Sequence, residues 1–399
     1  MSTASATPAP PSSRIASLDI VRGAVMVLMA IDHVRVYAGV PPGGPTPGVF
    51  FTRWVTHYCA PIFIFLAGTG AYLYGRTHGG RAGVAKYLAI RGAWLVLLEL
   101  TVLRVGWTFN FDFGHYLLAG VIWVIGWCMI LMALLVRLPA VAVGIFGVVV
   151  IAGHNLSNLF MATLGPALQQ SGARWLWQIL YFGGPVQLGT DGPTLAVLYV
   201  IVPWIGVMAA GYGFGLVMEL PAERRRQICL RLGAAAVVAF LLLRGFNLYG
   251  DPRPWTGNPD SPMPALLRFL NTTKYPASLL FLLMTLGPMF LVLPALEGAR
   301  GRVAGALAMF GRVPFFFYVL HIPLIHVLAL LVSVLRTGAV DPWLFTNHPM
   351  MNPEPPDGYT WSLGLLYLMW AVAVTMLYVA CRWFAEVKRT RKDPWLAFL

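Results

Sequence analysis

Long apolar stretches separated by short polar segments recur along the whole chain and predict membrane-spanning helices. Each stretch is close to the roughly 20 residues that an α-helix needs to cross a bilayer. We therefore predict an all-α polytopic membrane protein with about ten spans, or eleven if a re-entrant span lies near residues 173–182. The ten stretches lie near residues 18–40, 58–77, 87–107, 116–136, 140–157, 195–218, 232–250, 276–296, 314–335 and 362–384.

The first apolar stretch also carries charged side chains: Asp19, Arg22, Asp32, His33 and Arg35. At 100° and 1.5 Å per residue, Arg22 and His33 lie about 20° apart around the helix and about 16 Å apart along it. Ionisable groups at such depth are costly, and they usually face a protein interior or a wet cavity. This face predicts a functional site; the alternative is that Arg22 reaches the headgroups and His33 only packs.

Composition and charge narrow the class of protein. With 58% hydrophobic and 11% charged residues and a mean hydropathy of +0.72, the chain is too apolar for a soluble globular protein. The net charge of +13 would suit nucleic acid, but 17 of the 28 Lys and Arg fall on one side of the predicted spans and 7 on the other. The positive-inside rule then places both termini in the cytoplasm, with membrane lipids and not nucleic acid as partners.

The sequence predicts a single domain that follows a short N-terminal tail. Residues 1–13 are rich in Ser, Ala and Pro and uncharged, which is typical of a disordered tail, and residues 14–399 form a single transmembrane domain. The four cysteines stand apart from one another, in or beside predicted spans. Their spacing predicts neither a metal site nor a redox pair.

Candidate catalytic side chains cluster where the first two spans meet one membrane surface. Asp32 and His33 end the first span, and His57 comes just before the second, which opens at about Pro61. The positive dipole end of that second helix would keep His57 neutral and able to act as a base. A carboxylate such as Asp32 would fix the tautomer of a histidine that it touches. His57 as a loop residue without a role is the alternative.

Basic residues near helix ends suggest where a phosphate-bearing cofactor would bind. Arg312 lies just before Pro314, where a helix start offers free amides and a positive dipole end. Arg91 stands at the basic start of the third span, and His321 lies on the ninth, near Pro323. With Arg22, these residues are our predicted cofactor-binding set.

Four further residues are predicted to bind the second substrate. Asn271 and Lys274 precede the eighth span on the outer side, where they would meet an acceptor glycan. Arg104 and Arg244 lie within spans and would stabilise an oxyanion. A purely structural salt-bridge network would explain these two arginines equally well.

Six segments resemble the bacterial relatives of heparan-α-glucosaminide N-acetyltransferase: RIASLDIVRGAVMVLMAIDHVR, TRWVTHYCAPIFIFLAGTGAYL, VPWIGVMAAGYGFG, LNTTKYPASLLFLLMTLGP, FGRVPFFFYVLHIPLIH and CRWFAEVKRTRKDPWL. The resemblance implies a membrane acetyltransferase that moves an acetyl group from cytoplasmic acetyl-CoA to a sugar amine or hydroxyl across the bacterial cytoplasmic membrane, often as a homodimer. The first helix is also similar to integral-membrane O-acyltransferases, whose working motif is an arginine, ten residues and a histidine. Arg22 and His33 meet that spacing.

The resemblance leaves the base and the route open. The catalytic histidine of the animal enzyme lies in the loop after the first helix, and here the corresponding loop, residues 41–48, contains none. His33 or His57 would then remove the proton from the acceptor, or His33 would itself carry the acetyl group in a ping-pong route. A proton-coupled transporter that uses the same buried groups as a relay is the alternative function.

Overall fold

The computed structural model describes residues 15–44, 46–257, 261–346, 348, 353–391, 393 and 396, and it is mostly helical. The predicted tail at residues 1–13 lies outside these ranges. The helices are α1 Ala16–Tyr37, α2 Pro47–Trp54, α3 Cys59–Gly75, α4 Gly80–Leu98, α5 Arg104–Thr108, α6 Val121–Leu135, α7 Ala140–Gly153, α8 Ser157–Gln170, α9 Arg174–Trp177, α10 Ile201–Met218, α11 Ala222–Gly245, α12 Ala265–Leu270, α13 Leu279–Ala295, α14 Arg302–Arg312, α15 Pro314–Thr337 and α16 Leu363–Thr390.

A helix lies in each of the ten apolar stretches, but ten spans are not confirmed. Six helices in the described part of the chain are long and apolar enough to cross a membrane: Pro47–Gly75, Ala140–Met161, Ile201–Met218, Ala222–Gly245, Pro314–Thr337 and Leu363–Thr390. The helices α6 and α13 are apolar but shorter, at 15 and 17 residues, whereas α1 and α4 carry charged side chains along their length. The sides on which the termini lie remain a prediction.

The expectation of an all-α fold is wrong in one small part, because three short strands form a sheet. Strand β3, Thr194–Val197, lies between β1, Tyr116–Ala119, with which it is parallel, and β2, Gly184–Gln187, with which it is antiparallel. The Ala119 carbonyl also accepts from the amides of Leu198 and Tyr199, at 3.1 and 3.3 Å. The sheet thereby joins the segments that lead into α6 and α10.

Helix α1 is held by a close crossing with α14, a short helix that the hydropathy pattern does not predict. A Cβ atom added at Gly311 would lie 1.9 Å from the Asp19 carbonyl oxygen, and one added at Gly23 would lie 1.9 Å from the carbonyl oxygen of Leu307. Only glycine allows two backbones to approach this closely. The crossing fixes the Arg22 end of α1 beside the start of α15.

The start of α6 is fixed by Glu99, which lies in the π turn Glu99–Leu103 between α4 and α5. Its carboxylate accepts hydrogen bonds from the amides of Ile122 and Trp123 at 3.0 and 3.2 Å. Because the first amides of a helix lack partners within that helix, a buried carboxylate there satisfies them and interacts favourably with the helix dipole. Glu99 therefore anchors the entry to α6 against α4.

Candidate active site

Helix α1 carries Asp32 and His33, but the two side chains have different partners. Arg35 donates to the Asp32 carboxylate at 2.7 Å and to the Val40 carbonyl at 2.7 Å. These contacts neutralise Asp32 and tie the end of α1 to the following loop. The expectation that Asp32 fixes the tautomer of a neighbouring histidine is therefore not met at His33, because the structure pairs that imidazole with a different residue.

The partner of His33 is His321 on α15, 288 residues away in the sequence. The distance from His33 Nδ1 to His321 Nε2 is 2.6 Å, and the two rings stack with their centroids 4.8 Å apart. On its other side, His321 Nδ1 lies 2.6 Å from the Tyr318 carbonyl oxygen. Trp107 packs edge-on against the His33 ring, with the centroids 5.0 Å apart.

This chain of contacts assigns the ring protons of the two histidines. The Tyr318 carbonyl can only accept, so His321 Nδ1 is the donor in neutral His321 and its Nε2 is an acceptor. His33 Nδ1 then donates to His321, which leaves His33 Nε2 with a lone pair. No described residue hydrogen-bonds His33 Nε2. The arrangement can therefore present a neutral imidazole as a base.

Three neighbouring cavities share lining residues, and residues of α1 line two of them. We name each cavity after one residue that lines it alone. The His33 cavity, of about 150 Å³, contains Asp32, Glu99 and Trp107 in its wall. The Arg91 cavity, of about 300 Å³, shares its Phe63, Val121 and Tyr318. The His57 cavity, of about 560 Å³, shares its Pro42, Arg53, Lys274 and Tyr275. The His33 cavity therefore borders both of the others.

Two of the four predicted cofactor residues, Arg22 and Arg91, line the Arg91 cavity. Arg22 donates to the Gly311 carbonyl at 3.2 Å and pairs with Asp19 at 3.3 Å, and the Arg91 guanidinium lies over the ring of Tyr87. Helix α15 does begin at Pro314, which also lines this cavity. The arginines stand at one end, and the wall toward Tyr318 is apolar.

The other two predicted cofactor residues lie elsewhere. Arg312 ends α14 with an exposed side chain outside the lining of the Arg91 cavity, because the helix start that faces this cavity comes two residues later. His321 is fully buried behind His33, where it contacts the Tyr318 carbonyl instead of a cavity. We therefore leave Arg312 out of the candidate site and move His321 from cofactor binding to the support of His33.

The His57 cavity brings together His57, Asn271 and Lys274, which come from two distant parts of the sequence. Lys274 is only 8% exposed and also lines the His33 cavity. His57 is buried, and its Nδ1 has no hydrogen-bond partner among the described residues. The expected helix start at Pro276 lies further along: α13 begins at Leu279, capped by Ser278.

Arg104 and Arg244, predicted to bind substrate, do not line any of these cavities. Arg104 donates to the backbone carbonyls of Tyr116, Asn110 and Asp112, and its guanidinium lies over the Tyr116 ring. It therefore fastens the loop before β1. Burial, together with this guanidinium, lowers the pKa of His348, which stacks on Tyr116, to about 4.

Arg244 fastens the segment that carries Lys274. Its guanidinium donates to the carbonyls of Phe269, Arg253, Arg268 and Asn271, at 2.8 to 3.2 Å. Asp251, 3.9 Å away, accepts from the amide and hydroxyl of Thr273, both at 2.8 Å. With their donors committed to backbone, Arg104 and Arg244 hold the walls of the site and are not available to a substrate.

The structure adds site residues that the sequence does not single out. Tyr318 and Tyr199 line the His33 cavity, and no described residue hydrogen-bonds the Tyr318 hydroxyl. Arg53 lines both the His33 and His57 cavities. A tyrosine in an apolar helix and a single arginine before the second apolar stretch carry no sequence signal of their own, so only their meeting at a shared cavity identifies them.

A predominantly helical membrane protein with buried histidines, arginines and a lysine along connected cavities fits an integral-membrane enzyme. Residues 14–247, more than half of the chain, match the family described as "Heparan-alpha-glucosaminide N-acetyltransferase, catalytic". The chain belongs to this family, which indicates a transmembrane acetyltransferase and does not support the transporter alternative. No curated protein matches the chain. The matched range contains His33 and Arg91, whereas Lys274 and His321 lie beyond it.

Proposed function

We propose that this protein transfers an acetyl group from cytoplasmic acetyl-CoA to a sugar amine or hydroxyl on the outer side of the bacterial cytoplasmic membrane. The observation that carries the proposal is the His33–His321 contact of 2.6 Å in the wall of a cavity that borders both an arginine-bearing cavity and a lysine-bearing one. A donor and an acceptor that approach from opposite sides would meet at this base. The distribution of Lys and Arg supports the assignment of the Arg91 side to the cytoplasm.

The Arg91 cavity suits the donor. Its two arginines offer charge-assisted hydrogen bonds to phosphates, and its apolar wall suits the thin pantetheine arm of acetyl-CoA. The arm would bring the thioester to the boundary formed by Phe63, Val121 and Tyr318, which also line the His33 cavity. The donor would thus reach the base without leaving the protein.

The proposed chemistry is direct acetyl transfer with His33 as the base. His33 Nε2 takes the proton of the acceptor amine or hydroxyl while the acceptor forms its bond to the acetyl carbon, and the carbonyl electron pair moves onto oxygen. The Tyr318 hydroxyl, at the boundary of the two cavities, donates to that oxyanion. When the carbon–sulfur bond breaks, the His33 imidazolium returns its proton to the leaving thiolate. In the ping-pong alternative, the same Nε2 would carry the acetyl group.

The test uses purified protein in lipid nanodiscs with radiolabelled acetyl-CoA and a panel of amino sugars and neutral sugars. We expect transfer of label to a sugar and a loss of about 10²- to 10⁴-fold in His33→Gln, because a general base contributes on that scale. His115→Gln is the matched control, since the His115 side chain is 85% exposed. Absence of both acetyl-CoA binding and label transfer in the wild type would contradict the proposal.

Two further features of the proposal rest on the family resemblance. A homodimer is expected, and light scattering of the detergent-solubilised protein would measure its mass. Label retained on the protein after incubation with acetyl-CoA alone, and lost in His33→Gln, would replace direct transfer with the ping-pong route.

A further inference from the structure

The His57 cavity contains an excess of positive charge. Three cationic side chains line it, Arg53, Arg253 and Lys274, and none of its described lining residues is acidic. The nearest acidic groups of the neighbouring segments are already paired: Asp32 with Arg35 at 2.7 Å, and Asp251 with the Thr273 amide and hydroxyl. The cavity therefore attracts anions.

Lys274 is the most informative of the three cations, because it is buried and the carboxylate that it feels, Asp32, is already paired with Arg35 and shared with Arg53. It is 92% buried, its ammonium lies 5.3 Å from the centre of the Tyr275 ring, and no described carboxylate lies within 4 Å of it. A buried charge normally has a partner, since its desolvation is otherwise uncompensated. The neighbouring Arg53 also has no described carboxylate within 4 Å. Both side chains stand where the His57 and His33 cavities meet.

A second, independent observation concerns His57. The His57 residue lines the same cavity, and its Nδ1 is buried and lacks a hydrogen-bond partner among the described residues. A buried polar atom without a partner in the protein indicates that another molecule completes it. A neutral histidine with its proton on Nδ1 would donate to an anion held by the two cations.

The charge of the cavity also bears on the acceptor. A simple amino sugar is itself cationic when protonated, so three cations would repel it. An anionic group on the same sugar would reverse this repulsion, and the cations would then favour the neutral, nucleophilic form of the amine. We propose that the acceptor carries a phosphate or carboxylate, which binds Lys274 and Arg53 beside the amine or hydroxyl that is acetylated. This inference rests on the proposed function only where it identifies the bound sugar as the acetyl acceptor. The anion-binding site itself is inferred from the charges that line the cavity.

The experiment measures sugar binding to the purified protein in neutral detergent, without acetyl-CoA, by thermophoresis. The probes are glucosamine, glucosamine 6-phosphate, muramic acid, which is an amino sugar with a carboxylate, and inorganic phosphate. We expect glucosamine 6-phosphate or muramic acid to bind at least about tenfold more tightly than glucosamine, as one charge-assisted contact to a buried cation would give. Equal affinity for the charged and uncharged sugars, or equally tight binding of inorganic phosphate alone, would overturn the proposal.

Variants test which cations are responsible. Lys274→Met and Arg53→Gln should each remove most of the preference for the anionic sugar, and Lys274→Arg should restore part of it. Arg174→Gln is the control, because it removes an exposed cation that lines none of the three cavities. A preference that survives in both Lys274→Met and Arg53→Gln would also overturn the proposal. Anion binding in a protein that neither binds acetyl-CoA nor transfers label would instead contradict the proposed function alone.

Discussion

Two pairs of cations in this protein lie in or beside apolar stretches of the sequence and differ in their surroundings. Arg104 and Arg244 are buried, and every polar contact that they make is to backbone carbonyls or a nearby carboxylate. Arg53 and Lys274 stand at the meeting point of two cavities, with no described carboxylate within 4 Å. The first pair holds loops in place, whereas we propose that the second pair binds a ligand.

The difference shows how to interpret buried charge in a membrane protein. A charged residue in an apolar segment signals that something must compensate it, but not what does so. Backbone carbonyls compensate Arg244, and through it they position the loop that carries Lys274. A structural cation of this kind should be needed for stability, and a ligand-facing cation for binding.

The largest expected effect is on stability. Arg244→Met removes the donor to four carbonyls, and because each buried polar group left unpaired costs about 1–3 kcal/mol, we expect at least about 3 kcal/mol of destabilisation. Thermal unfolding in detergent measures this, with exposed Arg174→Met as the control. An unchanged melting temperature in Arg244→Met would remove the distinction between the two pairs.

The next largest effect is expected on the catalytic rate, at the Tyr318 hydroxyl. Tyr318→Phe removes the proposed oxyanion donor and should lower kcat by roughly 10²-fold with little change in KM, because the contact forms only in the transition state. Tyr378→Phe is the matched control, since Tyr378 packs against Phe310 away from the cavities. A rise in KM at constant kcat would instead make Tyr318 a binding residue.

A smaller effect is expected at His321, which acts through His33. His321→Phe removes the acceptor for His33 Nδ1 and should reduce activity roughly 10- to 100-fold. The pH profile of kcat/KM should also change, and His321→Gln, which restores an acceptor, should recover part of the activity. If the phenylalanine variant kept the wild-type profile, His321 would have only a packing role.

The smallest effect is expected on the stability of the protein when Lys274 is replaced. Lys274→Met removes a buried cation that has no described carboxylate within 4 Å, so the free energy of unfolding should change by less than about 1 kcal/mol or rise. The same thermal unfolding assay measures it beside Arg244→Met. A loss of stability as large as that of Arg244→Met would mean that Lys274 is also structural.

Much of the fold follows from the hydropathy of the chain. Helices occupy all ten predicted apolar stretches, because apolar runs near 20 residues have few other stable structures in a membrane. The three-stranded sheet and helix α14 were not predicted. Four-residue strands and an eleven-residue amphipathic helix give too weak a local pattern, and each depends on contacts with distant segments.

The site was predictable in part. The spacing of Arg22 and His33 on one helix face, and the position of Lys274 before an apolar stretch, are properties of local sequence. Sequence position alone could not decide whether Arg104 and Arg244 bind substrate or whether Arg312 binds a cofactor. A guanidinium within an apolar segment has the same sequence pattern whether carbonyls or a ligand satisfy it.

The sequence by itself determined a helical membrane protein, the charged first helix with Arg22 and His33, and the resemblance to an acetyltransferase family. Only the tertiary structure decided that His33 meets His321, that Tyr318 lines both the Arg91 and the His33 cavities, and that Lys274 lines both the His33 and the His57 cavities. The physical reason is the distance along the chain over which each pattern acts. Hydropathy and helix periodicity act over one or two turns, whereas the contact between two imidazoles depends on how α1 and α15 are held together, including the glycine-dependent crossing of α1 with α14.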